Sequence, residues 1–310
     1  MIDVAVIGDG QLARGVASRL STRADVHLRG PAPRELIPVV VGSGADVVVI
    51  ATTTRLADVA GHIEDAVRAG SNVLVSAEEC AYPWAVDADL AGRLDGLALQ
   101  NGVTILGCGL NPGFVFDALV LTLLGAGGLP TYISVERTVD VSAFGPAVRA
   151  RLGVGVPETE FAQGIGEGSI LGHAGFPQSM AIVADALGVV IDTITTSIRP
   201  TVEAGLTVGF VQEYVALVAG DEWFRARFVG HLRPGTAGLS PHDVIEIVSD
   251  GAPLRCTVDP GIGSQAGSQA LIANSIDRVV SAPPGWRTVA ELEAAHPRTD
   301  NPSPPRTPIR

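Results

Sequence analysis

A chain of 310 residues that is 46% hydrophobic and only 17% charged has material for two modest domains and a sizeable core. Its 33 acids against 21 bases give a formal charge of −12, a surface that repels phosphate backbones and argues against a nucleic-acid partner. No apolar run approaches the ~20 residues that span a bilayer and no basic, apolar leader precedes the first strand, so a cytoplasmic protein without a membrane segment is expected.

All 21 bases are arginine, and lysine is absent. Arginine keeps its proton under working conditions, so Schiff-base and lysine general-acid mechanisms are excluded. Cys80, Cys108 and Cys256 form no CxxC pair, and the six histidines lack metal-ligand spacing. No metal centre is expected.

The chain opens on "IDVAVIGDGQLARGVASRL", an apolar strand, a glycine turn and a helix with Leu12, Val16 and Leu20 on one face. The turn is Gly8-x-Gly10-x-x-Ala13, the alanine form of the dinucleotide fingerprint. Gly8 permits the tight turn, Gly10 lets backbone approach a pyrophosphate, and Ala13 lets the helix lie close on the strand. Gly8, Gly10, Gln11 and Leu12 are the first cofactor-binding candidates. The next strand, "ADVHLRG", carries Arg29 about where an NAD site places an acid for the ribose, with Arg34 close behind. A guanidinium there suits a 2′-phosphate, so NADP is expected in preference to NAD.

Alternation continues. "ADVVVIATTTRLADVAGHIEDAVRAG" is a strand, a turn of three threonines, and a helix with Leu56, Val59, Ile63 and Val67 on one side, closed by Gly70. "SNVLVSAEE" and "VTILGCG" are further strands around the helix "VDADLAGRLDGLALQNG". Such alternation of apolar strands and helices means a doubly wound parallel sheet, which binds ligands beyond the carboxyl ends of its strands. That end collects Thr52 and Thr53 as cofactor contacts, the pair Glu78-Glu79, and the "GLNPGF" segment with Asn111.

Beyond residue 125 the pattern becomes that of half-buried antiparallel strands, as in "TYISVERTVDVS", "DTITTSIRPTVEAGLTVGFVQEYVALVAGD", "PHDVIEIVSDG" and "PLRCTVDPG". The expected organisation is an α/β protein with a Rossmann domain over 1–125 and an α+β domain over 126–264 built on an open mixed sheet. Residues 265–296, with "SQALIANSIDRVVSAPPGW" read as a helix, pack back on the first domain. The Pro-rich tail 297–310 is expected to be disordered.

The ordered set "SAEECAYPW", "GCGLNPGFVFDALVLTL", "VERTVDVSAFGPAVRARLGVG", "GHAGFPQSMAIVADALG" and "NSIDRVVSAPPGW" resembles 2,4-diaminopentanoate dehydrogenase and its relatives, the native amine dehydrogenases, over roughly residues 2–292. The resemblance implies a homodimer that interconverts a primary amine and a ketone plus ammonia with NAD or NADP. It also implies that the catalytic glutamate is one of Glu78 and Glu79. Two departures stand out. The family's Thr-Cys-Glu-Glu is Ser76-Ala77-Glu78-Glu79 here, and the loop after the second strand is basic. The His-His segment and lysine of dihydrodipicolinate reductases proper are missing, which argues against that reaction.

The chemistry asks for the same residues. Reductive amination needs a carboxylate that binds ammonium, takes its proton and returns one to departing water. Adjacent residues of an extended chain point opposite ways, so one member of the pair faces the substrate. Asn111 either caps a helix or orients the ligand, and His173 is either a hydrogen-bonding structural residue or a substrate contact. Trp84 and Phe176 are pocket walls or core. Arg137 and Asp140 form a structural pair or line the pocket floor. Two alternatives stay open: a reductase of a preformed C=N or C=O, and a silent nucleotide-binding homologue.

Overall fold

A computed structural model describes residues 1–33, 36–42, 44–249 and 253–298. Arg34 and residues 299–310 of the expected tail lie outside the described residues. The first half winds through β1 (Ile2–Ile7), α1 (Gln11–Leu20), β2 (Val26–Ala32), α2 (Ile37–Val41), β3 (Val47–Ile50), α3 (Leu56–Arg68), β4 (Asn72–Val75), α4 (Ala88–Asn101) and β5 (Thr104–Gly107). Every neighbouring pair among these strands is parallel. The Val47–Ile50 run is buried on both faces, as a parallel strand sandwiched between helices requires. Alternate residues serve opposite layers: Ala5 and Ile7 join the core beneath α3, while Val4 and Val6 join the core beneath α1. The expected stripes are buried too, with Leu56, Val59, Ile63 and Val67 inward on α3. Helix α4 stops at Gly102, whose φ of 67° supplies the left-handed cap.

The chain then adds α5 (Ala118–Leu124), β6 (Pro130–Asp140), α6 (Pro146–Leu152), α7 (Glu158–Glu167) and α8 (Phe176–Leu187). Four more strands follow, β7 (Thr193–Glu203), β8 (Leu206–Val218), β9 (Asp221–His231) and β10 (His242–Ser249), then β11 (Leu254–Val258). The second sheet has the order β11-β10-β6-β9-β8-β7 and is mixed, because β6 and β9 run parallel while the other pairs are antiparallel. One face buries Phe210, Phe224 and Phe228 against α5 and α8. The other carries an ionic ladder: Arg227 reaches Glu136 at 2.6 Å and Glu213 at 3.4 Å, and Arg225 reaches Glu222 at 2.6 Å. Strand β9 was not among the sequence expectations. Its Phe224-Arg225-Ala226-Arg227-Phe228 alternation is the signal that marks it.

The C-terminal segment corrects the expected single helix. It forms α9 (Ser264–Asn274), which packs on α1, and α10 (Ile276–Ser281), and then a strand, β12 (Gly285–Arg287). Pro283 and Pro284 forbid helix continuation, and the extended chain that results pairs in parallel with β5. The first sheet is therefore six-stranded, β12-β5-β4-β3-β1-β2. Trp286 is buried there and its Nε1–H donates to the Cys80 carbonyl at 3.2 Å. Among the described residues no helix is long and apolar enough to cross a membrane.

Candidate active site

The carboxyl ends of the parallel strands open into a crevice of about 770 Å³, faced from the second half of the chain by α6, His173 and the start of α9. Gly8 makes the turn that starts it. Its φ is +115°, and a Cβ there would lie 2.3 Å from the Ala51 carbonyl oxygen, so no other residue fits. At Gly10 a Cβ would meet nothing within 4 Å, and Ala13 is fully buried where α1 crosses the sheet. No side chain caps α1 and no acid sits in its first turn. Its free N–H groups thus face an open cradle, which fits a dinucleotide pyrophosphate. Gln11, Leu12, Thr52, Thr53 and Asn111 also line the crevice.

The glutamate pair is separated by its backbone. After β4 the chain enters a 3₁₀ turn, Glu78–Ala81, that packs against β5. It fits only because residue 107 is glycine: a Cβ there would stand 2.1 Å from the Cys80 carbonyl oxygen. In this turn Glu79 swings back to α3, and its Oε2 accepts the Leu56 N–H at 2.8 Å. Arg55 at the N-cap has no side-chain cap bond, so the Glu79 carboxylate takes that place and complements the helix dipole. Glu78 turns into the crevice, with a fifth of its side chain exposed and Oε1 3.3 Å from Arg151 Nη2. Of the two catalytic candidates, Glu78 alone reaches the crevice.

Arg151 was missed from the sequence. It lies on α6, binds Glu78 with one arm and donates Nη1 to Thr54 Oγ1 with the other. One guanidinium thereby joins the turns after β3 and β4 to the second half of the chain. The signal available was its place in "FGPAVRARLGVG", where Arg149 and Arg151 had equal claims.

Behind Asn111 lies a buried ion pair. Arg137 Nε and Asp243 Oδ1 are 2.7 Å apart, and both side chains are 1% exposed. Asp243 Oδ2 also accepts the Ile262 N–H at 2.8 Å, and with the Asn111 amide turned so that both its ends are satisfied, its oxygen accepts from Arg137 Nη1 at 2.7 Å. Asn111 is thus anchored by Arg137 and caps no helix, since Asp117 caps α5. Arg137 is in a structural pair, but its partner is Asp243 rather than Asp140.

His173 reaches the crevice wall with its ring tilted against Phe228 at 4.6 Å and Phe176 at 5.0 Å. Its Nδ1 is buried with no partner, and Gln212 accepts its backbone N–H at 2.7 Å. Burial, then the charges of Arg151 and Arg137, push its pKa down to about 3, so the ring is neutral. The unfolded chain protonates this residue near 6.5 and the folded protein near about 3, so stability drains away as pH falls through that interval. His173→Phe is expected to flatten this acid dependence, read as the urea midpoint between neutral pH and pH ~4. An unchanged slope would show that His173 is not the group responsible.

Four further candidates do not line the crevice. Phe176 is 2% exposed and packs edge-on against Phe116, in the core beneath His173. Trp84 packs with Tyr82 and Trp286 and lines a separate, smaller depression rather than the crevice. Asp140 is exposed at the end of β6, where its Oδ1 accepts the Ser142 N–H at 2.9 Å. Arg29 pairs with Asp3, near the amino end of β1 and away from the crevice. Ring packing sets the places of Phe176 and Trp84, and the nearest opposite charge that of Arg29, and sequence position alone fixes neither.

Residues 114–302 match the family model described as the 2,4-diaminopentanoate dehydrogenase C-terminal domain. The chain is 32% identical over 308 residues to 2,4-diaminopentanoate dehydrogenase of Acetoanaerobium sticklandii, covering 93% of this chain and 85% of that protein. Its fold is shared with an amine dehydrogenase from Mycobacterium smegmatis, with a TM-score of 0.82, 21% identity, and coverage of 96% of this chain and 97% of that one. A biliverdin reductase from Synechocystis, solved with biliverdin and NADP+, shares it more distantly, with a TM-score of 0.51, 13% identity, and coverage of 83% and 80%. The chain belongs to the 2,4-diaminopentanoate dehydrogenase family, and is an oxidoreductase of the NAD(P)-dependent amine dehydrogenase type.

Proposed function

We propose that this protein interconverts a primary amine and a ketone plus ammonia, with Glu78 as the proton carrier. The observation that supports this most is that Glu78 is the sole carboxylate among the described residues lining the crevice. A bound nicotinamide cofactor supplies or takes the hydride at the amine-bearing carbon. Gly8, Gly10 and the N-terminus of α1 would hold its pyrophosphate, with Thr52, Thr53 and Asn111 beside the rest. Glu78 accepts hydrogen bonds from the ammonium, removes its proton to free the nucleophilic nitrogen, and returns a proton to the departing water. Arg151 holds that carboxylate at the crevice through their 3.3 Å contact. His173, being neutral, offers a hydrogen bond without adding charge.

NADPH is the preferred donor in this reading. In sequence Arg34 is the next arginine after Arg29, which is engaged by Asp3, and a guanidinium there suits a 2′-phosphate. The test follows NADPH and NADH absorbance with a panel of aliphatic ketones, with and without concentrated ammonium at alkaline pH. Oxidation that needs ammonium and favours NADPH is the expected result. Oxidation without ammonium would instead mark a carbonyl reductase, and none despite cofactor binding would sink the enzymatic reading.

The same proposal includes a homodimer formed through the ionic face of the second sheet. Among the described residues no helix covers that face, and between its charges stand the half-buried Val211, Val215 and Leu217. Light scattering in solution should give twice the chain mass of 31.8 kDa, and a monomer would remove this element.

A further inference from the structure

The charges of the crevice constrain what it accepts. Among its described lining residues Arg151 is the one guanidinium and Glu78 the one carboxylate, and they are bound to each other. The second arm of Arg151 is held by Thr54, and its Nε is buried. His173 brings no charge, because its ring is neutral between Phe176 and Phe228. The wall facing Glu78 from α6 and the turn before it is apolar, formed by Phe144, Pro146, Val148 and Leu152, with Pro112 beside them.

Resting on the amine-dehydrogenase reading, we infer that the carbonyl substrate has an uncharged, apolar tail: a neutral aliphatic ketone, with the matching monoamine as the reverse substrate. A tail carboxylate has two courses in this crevice, and both are costly. It stays unpaired against apolar walls, where desolvation opposes it. Otherwise it draws Arg151 from Glu78, and the proton carrier loses the cation that aims it. An amino acid tail adds an ammonium for which the crevice lining offers no carboxylate except Glu78 itself. The relative from Acetoanaerobium sticklandii is named for a diamino acid. This chain shares that family, but the described residues of its crevice keep no cation in reserve for a substrate acid.

Two probes of the same shape test the inference directly. 5-Methylhexan-2-one and 4-oxopentanoate share a methyl ketone and its chain, and differ in an isopropyl group against a carboxylate. Initial rates of NADPH oxidation at saturating ammonium should give a kcat/KM at least about tenfold higher for the neutral ketone, the burial cost of an unpaired charge. 2-Amino-4-oxopentanoate, the ketone of the diamino acid, should fall further behind. An equal or greater kcat/KM for either acid overturns the inference while the amine-dehydrogenase reading stands. If no ketone is oxidised, or oxidation ignores ammonium, that reading fails and carries the inference with it.

Discussion

Glu78→Gln is expected to lower kcat by about 10³-fold, within the range that general acid–base groups contribute. NADPH affinity should hardly change, because the amide keeps the shape of the crevice and the pyrophosphate cradle lies on α1. Glutamine still fills the space beside Arg151 but cannot take a proton from ammonium. The neighbouring change separates the two roles. Glu79→Gln leaves Glu78 and Arg151 in place and weakens only the bond to the Leu56 N–H. It should retain kcat within a few-fold and cost about 1 kcal/mol of stability, the size of a lost helix cap. Steady-state rates, cofactor titration and urea midpoints on both variants decide the matter. If Glu79→Gln is the inactive protein and Glu78→Gln turns over normally, the assignment is reversed.

Asp243→Ala should be the most damaging single change to stability. It removes the partner of Arg137 while leaving the guanidinium buried at 1% exposure, and it also frees the Ile262 N–H. Stranding one member of a buried pair costs about 3–5 kcal/mol. Replacing both, as Arg137→Met with Asp243→Leu, removes the uncompensated charge, and the double variant should be more stable than Asp243→Ala. Function follows at a distance, since Arg137 also anchors Asn111 at the crevice wall. The double variant should therefore fold and still bind or turn over less well. Urea unfolding checks the first part: a loss below about 1 kcal/mol for Asp243→Ala would mean the pair is not the buried support described here.

Much of the site was legible in order along the chain. The strand, glycine turn and helix at residues 2–20 are encoded within one supersecondary unit, so Gly8, Gly10 and Ala13 could be read from spacing alone. The periodic stripes of α1 and α3 and the strand-end placement of Glu78-Glu79 and Asn111 are local in the same sense. Alternation of strands and helices then places those ends on one side of the sheet.

What the sequence could not decide was which way side chains turn and what meets them from far along the chain. Glu78 and Glu79 are chemically identical neighbours, and only the 3₁₀ turn fitted over Gly107 sends one to α3 and the other to the crevice. Arg151 stands 73 residues from Glu78, and nothing in either local stretch announces the pairing. Arg29 reads as a phosphate-binding arginine until the fold brings Asp3 beside it on the neighbouring strand. Trp84, Phe176 and Asp140 likewise take their places from packing. Periodicity and turn chemistry act over a few residues and fix elements and their ends. Charge pairing and burial act through space, so the crevice acquired its Glu78–Arg151 ion pair only when the two halves of the chain closed over it.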